Sequence, residues 1–460
     1  MISAATHPMT SSRNDDLLAR SRRAVWHPCT QMKHHESQPL VPIVRAEGAW
    51  LFDADGHRIL DAVSSWWVNL FGHGHPHIKA ALHEQIETLD HVMLAGLTHE
   101  PVIELSERLA AWTGLGHSFY GSDGASATEI ALKMSAHSWR NLGRPEKNGF
   151  VSLAQGYHGE TVGALGVTDI PLFRTAYGPL VRPAAVVMSP DARLAAPGTD
   201  SLAHAELAAQ SLQSWFDEHH HETAAVILEP LVQCAAGMAM HDAHYLRRVR
   251  ALCDRYEVHL IADEIATGFG RTGERFACDV AGIRPDFICL SKGLTGGTLP
   301  LSAVLTTDAV YESFYDDDSA RGFLHSHSYT GNPLACRAAL AATALLDDAQ
   351  LARNRDTAQR LGRAARAIDE HPSITNARQL GMIWAWDVAT DDPTFARRYH
   401  RAAMQEGLLL RPIGRTLYFM PPYVIDDEAI DHLVQGALRA LDRTRADARP
   451  RPAHATPSLA

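Results

Sequence analysis

The chain has 460 residues, of which 46% are hydrophobic and 21% charged, an ordinary balance that excludes wholesale disorder. With 42 Lys and Arg against 53 Asp and Glu, the formal net charge is -11, which argues against non-specific nucleic-acid binding. No apolar run reaches the roughly 18 residues of a membrane span, and Met1 to Asp16 carries no apolar leader core, so a cytoplasmic protein with no membrane partner is expected.

The first dozen residues are rich in Ser, Thr and Pro and predict a mobile start. Pro101 to Trp112 predicts a helix: Val102, Leu105, Leu109 and Trp112 share one face, and Gly114 stops it. Ala127 to Trp139 reads likewise, with Ile130, Ala131 and Met134 aligned. The short apolar runs 224–228, 258–262, 287–290 and 303–306 suit buried strands, with helical text such as Tyr245 to Tyr256 between them. Buried strands alternating with helices predict a mostly parallel sheet covered on both faces. Beyond about residue 335 the text changes. Helical Ala335 to Leu346 and Leu361 to Ala367 precede strand-like Met382 to Val388. A helix near Phe395 to Glu406, short runs at 408–411 and 417–420, and a last helix from about Asp427 follow. These predict a smaller α+β domain. A Pro, Ala and Arg-rich tail from about Arg443 predicts a mobile end.

Three local signals carry chemistry. Ile261 to Glu264 ends a predicted strand on two carboxylates, and parallel sheets bind ligands at the carboxyl ends of their strands. Asp263 and Glu264 are therefore candidates, against the plainer reading that they open a solvated loop. Lys292 follows the strand Phe287 to Leu290. Desolvated there, its amine would fall in pKa and become a nucleophile able to form a Schiff base; the plainer reading is a surface lysine. Gly121 to Ser126 opens the Ala127 helix, where small residues let first-turn N–H groups reach an anion; the plainer reading is an N-cap by Ser122 or Asp123. Together they make the parts of a pyridoxal-phosphate site: lysine, carboxylate and phosphate cup. The carboxylate keeps the pyridine nitrogen protonated, since opposite charges about 4 Å apart attract by roughly 4 kcal/mol at an effective dielectric near 20.

Two other motifs compete. Gly268 to Gly273 matches G-x-G-x-x-G, and Asp286 falls near the place of a ribose-binding acid. A dinucleotide loop needs its last glycine to open a helix, and Glu274 to Asp279 is too short before Gly282 and Pro285. Among 27 histidines, His73-Gly74-His75-Pro76-His77 and His219-His220-His221 invite a metal reading. Gly and Pro break the first, and the second is a polar run at a helix end, so no metal is expected. Six scattered cysteines without a CxxC pair predict reduced thiols.

The run Ile261 to Gly273, followed by Ser291-Lys292-Gly293, resembles class III aminotransferases of the type I pyridoxal-phosphate fold. Trp26-His27-Pro28, Ser64-Ser65-Trp66-Trp67, Gly156-Tyr157-His158-Gly159 and Arg411-Pro412 are similar to the branch that converts 8-amino-7-oxononanoate to 7,8-diaminononanoate in biotin biosynthesis, over about Trp26 to Leu441. The resemblance implies an α/β fold: a large domain with a mostly parallel sheet, and a small α+β domain built from both chain ends. It implies a segment 1–75 belonging to the small domain, a cofactor domain 76–340 and a C-terminal part 341–460. It implies pyridoxal 5'-phosphate as cofactor, S-adenosyl-L-methionine as amino donor, and a homodimer with a shared active site.

The same resemblance assigns roles. Lys292 becomes the catalytic Schiff-base lysine, and Asp263 binds the pyridine nitrogen. Tyr157 stacks on the ring, a contact worth about 0.5–1.5 kcal/mol. Gly124 and Ala125 hold the phosphate, and His327 and Ser328 reach it from the partner subunit. Trp66, Trp67, Tyr157, Ser326 and Cys29 line the substrate pocket, and Arg411 pairs with the acceptor's carboxylate. Three residues depart from the family pattern: Cys29 for Tyr, Glu160 for Asp, and His327-Ser328 for Pro-Thr. They leave room for lysine as donor. Another class III ω-aminotransferase and a nicotinamide oxidoreductase using Gly268 to Gly273 are the alternative functions.

Overall fold

The computed structural model describes residues 12–38 and 40–446. The expected mobile start and the tail beyond Ala446 lie outside the described residues. Where the sequence predicts the tail to begin, the last helix still runs: it spans Asp427–Ala446, with Thr444 buried.

Seven strands form the central sheet, in the order His117–Gly121, Ser302–Thr306, Phe287–Leu290, His259–Asp263, Thr223–Leu228, Gly149–Leu153, Ala185–Val187. All run parallel except Ser302–Thr306, which is antiparallel to both neighbours. The three middle strands are buried at every residue. A strand covered on both faces has no polar side to show, which is why these read as unbroken apolar runs.

Side chains of a strand alternate between faces, and two cores result. Ala225, Ile227, Ile261, Phe287, Cys289 and Val304 meet the helix Gly124–Asn141 through Ala127, Ile130, Ala131 and Met134. Val226, Leu228, Leu260, Ile288, Leu290 and Leu305 lie in the other core, with the helices Ser201–His219 and Ala243–Tyr256. The helix Glu100–Thr113 ends at Gly114, whose φ of 69° is left-handed, as its position after the last apolar residue predicts.

An early and a late segment of the chain meet in a second unit. Arg58–Asp61 pairs in parallel with Leu408–Leu409, placing Leu60 beside Leu408. An antiparallel sheet of Ile374–Leu380, Ile383–Val388 and Thr416–Phe419 shares its core with the helices Phe395–Gln405 and Asp427–Ala446. Asp61 thereby stands at the end of a strand held by a segment more than three hundred positions away.

Candidate active site

The strand His259–Asp263 delivers Asp263, 4% exposed, to the carboxyl edge of the sheet. Its Oδ2 lies 2.7 Å from His158 Nδ1, and its Oδ1 accepts the Ile265 N–H at 3.1 Å. Glu264 is fully buried and does something else. It accepts the Thr267 hydroxyl at 2.8 Å and the Cys278 N–H at 2.7 Å, fastening the turn to the short helix Ala277–Ala281. Burial pushes its carboxyl up to about 7. Neither acid opens a solvated loop.

On the neighbouring strand, Phe287–Leu290 leads into Lys292, half-buried with a left-handed φ of 43°. Such a conformation in a non-glycine residue stores about 1–3 kcal/mol and persists only where surroundings enforce it. The Lys292 Nζ lies 4.8 Å from the Trp67 ring centroid. Burial pushes the amine below the ordinary lysine value, with Cys234, Asp263 and Glu229 pulling the other way. This is no surface lysine.

The cup forms where the strand His117–Gly121 turns into the helix Gly124–Asn141. Asp123 caps that helix by accepting the Ser126 N–H at 2.9 Å. The earlier first-turn N–H groups, Gly124 and Ala125, have no place in the intrahelical ladder. The cap and the candidate anion cup thus share one turn. Gly159, at φ 118°, presses on it: a Cβ there would meet the Ala125 Cβ at 2.6 Å. Thr128 of the same helix donates to the His158 carbonyl at 2.8 Å, locking the cup to the Asp263 pair. His327 Nε2 lies 3.1 Å from Ser122 Oγ. Ser326 and Ser328, on either side of it, are exposed and make no side-chain hydrogen bond among the described residues.

A polar cluster gathers around Glu160. The Tyr157 hydroxyl donates to Glu160 Oε1 at 3.0 Å, and Cys29 Sγ lies 3.8 Å from the same oxygen. Burial and the Glu160 charge both push the Cys29 thiol up, keeping it neutral. Arg411 donates to the Cys29 carbonyl at 3.3 Å, and its guanidinium carbon lies 5.1 Å from the centroid of the Trp66 ring. Trp66 is 44% exposed, whereas Trp67 is buried and donates to the Tyr418 hydroxyl at 3.2 Å.

Some residues that shape the site carry no sequence signal for it. Glu229 is buried and accepts the Tyr157 N–H at 3.0 Å and the Cys234 N–H at 2.9 Å, and its carboxyl is pushed up to about 7 by burial. His158 stands in the Gly156–Gly159 run, with nothing local to reveal its partner. The Gly268–Gly273 run is no dinucleotide loop, since Gly273 leads through turns to a five-residue helix at Ala277–Ala281. His73 bonds Asp61, and His219 bonds Glu222 at a helix end. Among the described residues, no group of three or more His, Cys, Asp or Glu is arranged to hold a metal.

Lysine, buried carboxylate and helix N-terminus thus converge from three separate strands of one sheet edge. Residues 31–441 match the family described as Aminotransferase class-III. The chain is a class III aminotransferase. Its relatives include the adenosylmethionine-8-amino-7-oxononanoate aminotransferases of Helicobacter pylori, 40% identical over 94% of this chain and 99% of that one, and of Geobacter sulfurreducens, 38% identical over 91% and 96%. Among solved structures, the enzyme of that name from Methanocaldococcus jannaschii has a TM-score of 0.87 at 32% identity, covering 93% of this chain and 99% of that one. The ω-transaminase from Pseudomonas jessenii in complex with PMP has a TM-score of 0.89 at 26% identity, covering 95% and 100%. As a class III aminotransferase the chain is a pyridoxal-phosphate-dependent transaminase of the type I fold. The residues present fit that group: a carboxylate buried against a histidine, a lysine with a depressed amine one strand away, and a helix start crowded by glycine.

Proposed function

We propose that this aminotransferase converts 8-amino-7-oxononanoate to 7,8-diaminononanoate in biotin biosynthesis, with S-adenosyl-L-methionine as amino donor. The observation that carries the reading is the paired wall of Trp66 and Trp67, one against Arg411 and the other against Lys292. An apolar wall ending in a guanidinium suits an acceptor with a long aliphatic chain and a terminal carboxylate. A charge-assisted contact of that kind is worth about 1.5–3 kcal/mol. The relatives named above carry the same substrates in their names.

Lys292 would hold the cofactor, Asp263 would face its pyridine nitrogen, Tyr157 its ring, and the Gly124 and Ala125 N–H groups its phosphate. When bound, pyridoxal phosphate supplies an electron sink for the carbon that bears the amine. The chain's own residues do the rest. Lys292 Nζ, its pKa lowered by burial, lifts the proton from the donor's amine-bearing carbon and returns one to the acceptor's ketone carbon. His158 keeps the Asp263 carboxylate aimed. Glu160, held by Tyr157, presents a carboxylate to the substrate's cationic amine. One site serves donor and acceptor in turn, which gives ping-pong kinetics.

We assign residues 76–340 to the cofactor domain, with the described parts of 1–75 and 341–460 joined in the small domain. We further propose a cytoplasmic homodimer in which Ser328 of the partner subunit, with His327, completes each phosphate site. Leu324 and Tyr329 flank that segment and are 83% and 63% exposed, an apolar surface suited to a second copy. No helix among the described residues is long and apolar enough to cross a membrane. Ser326 and Cys29 complete the pocket lining.

The test incubates purified, cofactor-loaded protein with 8-amino-7-oxononanoate and either S-adenosyl-L-methionine or lysine. Diaminononanoate formed with the former is the expected result. Product with lysine alone reassigns the donor, and no product with either rejects the acceptor.

A further inference from the structure

The two tryptophans of the pocket wall stand on a turn that L-residues rarely make. Ser64, Ser65, Trp66 and Trp67 have φ values of 51, 47, 73 and 72° in succession, and none is glycine. Chirality favours the right-handed form of such a turn, which would aim both indoles elsewhere. The neighbours must therefore hold it.

Two buried charges do so. Asp61 is fully buried at the end of the strand Arg58–Asp61. Its Oδ1 accepts the Ser65 N–H at 2.8 Å, and its Oδ2 accepts the Ser65 hydroxyl at 2.7 Å and lies 2.8 Å from His73 Nε2. The second charge comes from the Gly268–Gly273 loop, the run that is no dinucleotide site. There Arg271, 1% exposed, donates to Ser64 Oγ at 2.8 Å, to the Asn69 carbonyl at 3.2 Å and to the Pro421 carbonyl at 2.6 Å. Its guanidinium carbon lies 4.8 Å from the Tyr423 ring centroid. The Ser64 hydroxyl in turn donates to the Met420 carbonyl at 2.7 Å. Among the described residues no carboxylate hydrogen-bonds Arg271, and the bonds its two terminal nitrogens make all go to the turn and the segments beside it. The turn is clasped by Asp61, four residues before Ser65, and by Arg271, which reaches Ser64 across 207 positions.

We propose that Asp61 and Arg271 are positioning residues for acceptor recognition: they hold the Ser64–Trp67 turn left-handed and so set the tryptophan wall. This rests on the proposed reading that the wall faces the oxononanoate acceptor. Released, the turn relaxes and both indoles leave their places beside Lys292 and Arg411. Tyr157 and Glu160 sit on another segment and keep their mutual hydrogen bond.

The test uses the cofactor-loaded full chain and follows the two half-reactions separately by absorbance. Asp61→Asn and Arg271→Lys should each raise the acceptor KM by about tenfold or more, with a clearly smaller rise in the donor KM. The near-UV circular dichroism of the indoles should change with them. Adding Ser65→Gly to Asp61→Asn should restore most of the lost acceptor affinity, because glycine adopts the left-handed turn unaided. Equal losses in both half-reactions, or no rescue by glycine, overturn the proposal. Should Asp61→Asn fail to fold, Ser65→Ala removes only the hydroxyl contact, and an unchanged acceptor KM there overturns it as well. Wild-type protein inactive with the oxononanoate rejects the substrate reading instead, and the dichroism of the variants then decides on the clasp alone.

Discussion

The Asp263 carboxylate and the His158 imidazole are joined at 2.7 Å with side chains 5% and 0% exposed. A buried carboxylate must be paired or it protonates. His158 supplies a partner at Oδ2, while Oδ1 accepts the Ile265 N–H. Hydrogen bonds to charged groups contribute about 1.5–3 kcal/mol. Replacing His158 with Asn should therefore weaken pyridoxal-phosphate binding by roughly 10- to 100-fold, read by titrating cofactor into the apoprotein. Binding unchanged within error would show that Asp263 needs no partner.

Lys292 is expected to be the residue trapped when the loaded enzyme is treated with borohydride and its peptides are mapped. Lys292→Ala should lose turnover and the trapped adduct together. An adduct at any other lysine would end this assignment.

Glu160 gathers the Tyr157 hydroxyl and the Cys29 thiol on one oxygen. Glu160→Gln keeps the shape and removes the charge. The donor KM should rise about tenfold, as expected for losing a charge-assisted contact, while cofactor affinity stays at the wild-type value. Steady-state kinetics and a cofactor titration on the same preparation separate the two.

Glu264 has a signed pH signature. Burial raises its carboxyl to about 7 from an ordinary 4.5. The folded state therefore binds a proton more tightly than the unfolded chain, and ionising Glu264 costs native stability. That stabilisation of the protonated form is complete below about 4.5 and is lost as pH rises through about 7. Glu264→Gln cannot ionise. It loses one acceptor contact at every pH, a constant offset, but the wild type should lose up to ~3 kcal/mol relative to it between pH 5 and 8. Urea unfolding at several pH values gives the slope; parallel curves would place the titration elsewhere.

Much of the central sheet was legible because its strands are buried on both faces. The runs 224–228 and 287–290 needed no neighbour to identify them. Ile374–Leu380 escaped for the opposite reason: it is an edge strand, partly exposed along its length, with text as polar as a loop. The short pair Val232–Gln233 and Ala239–Met240 is too brief to show a period.

By itself the sequence determined the elements whose side chains alternate or recur, the lysine and acid at two strand ends, and the glycine-rich start of a helix. Those follow from local periodicity and backbone sterics, which act over a few residues. Only the tertiary structure decided what each one meets. His158 reaches Asp263 across 105 positions and Arg271 reaches Ser64 across 207. Such pairings depend on strand order and on the joining of early and late segments of the chain, and a hydrogen bond between distant residues leaves no periodic trace in the chain that makes it.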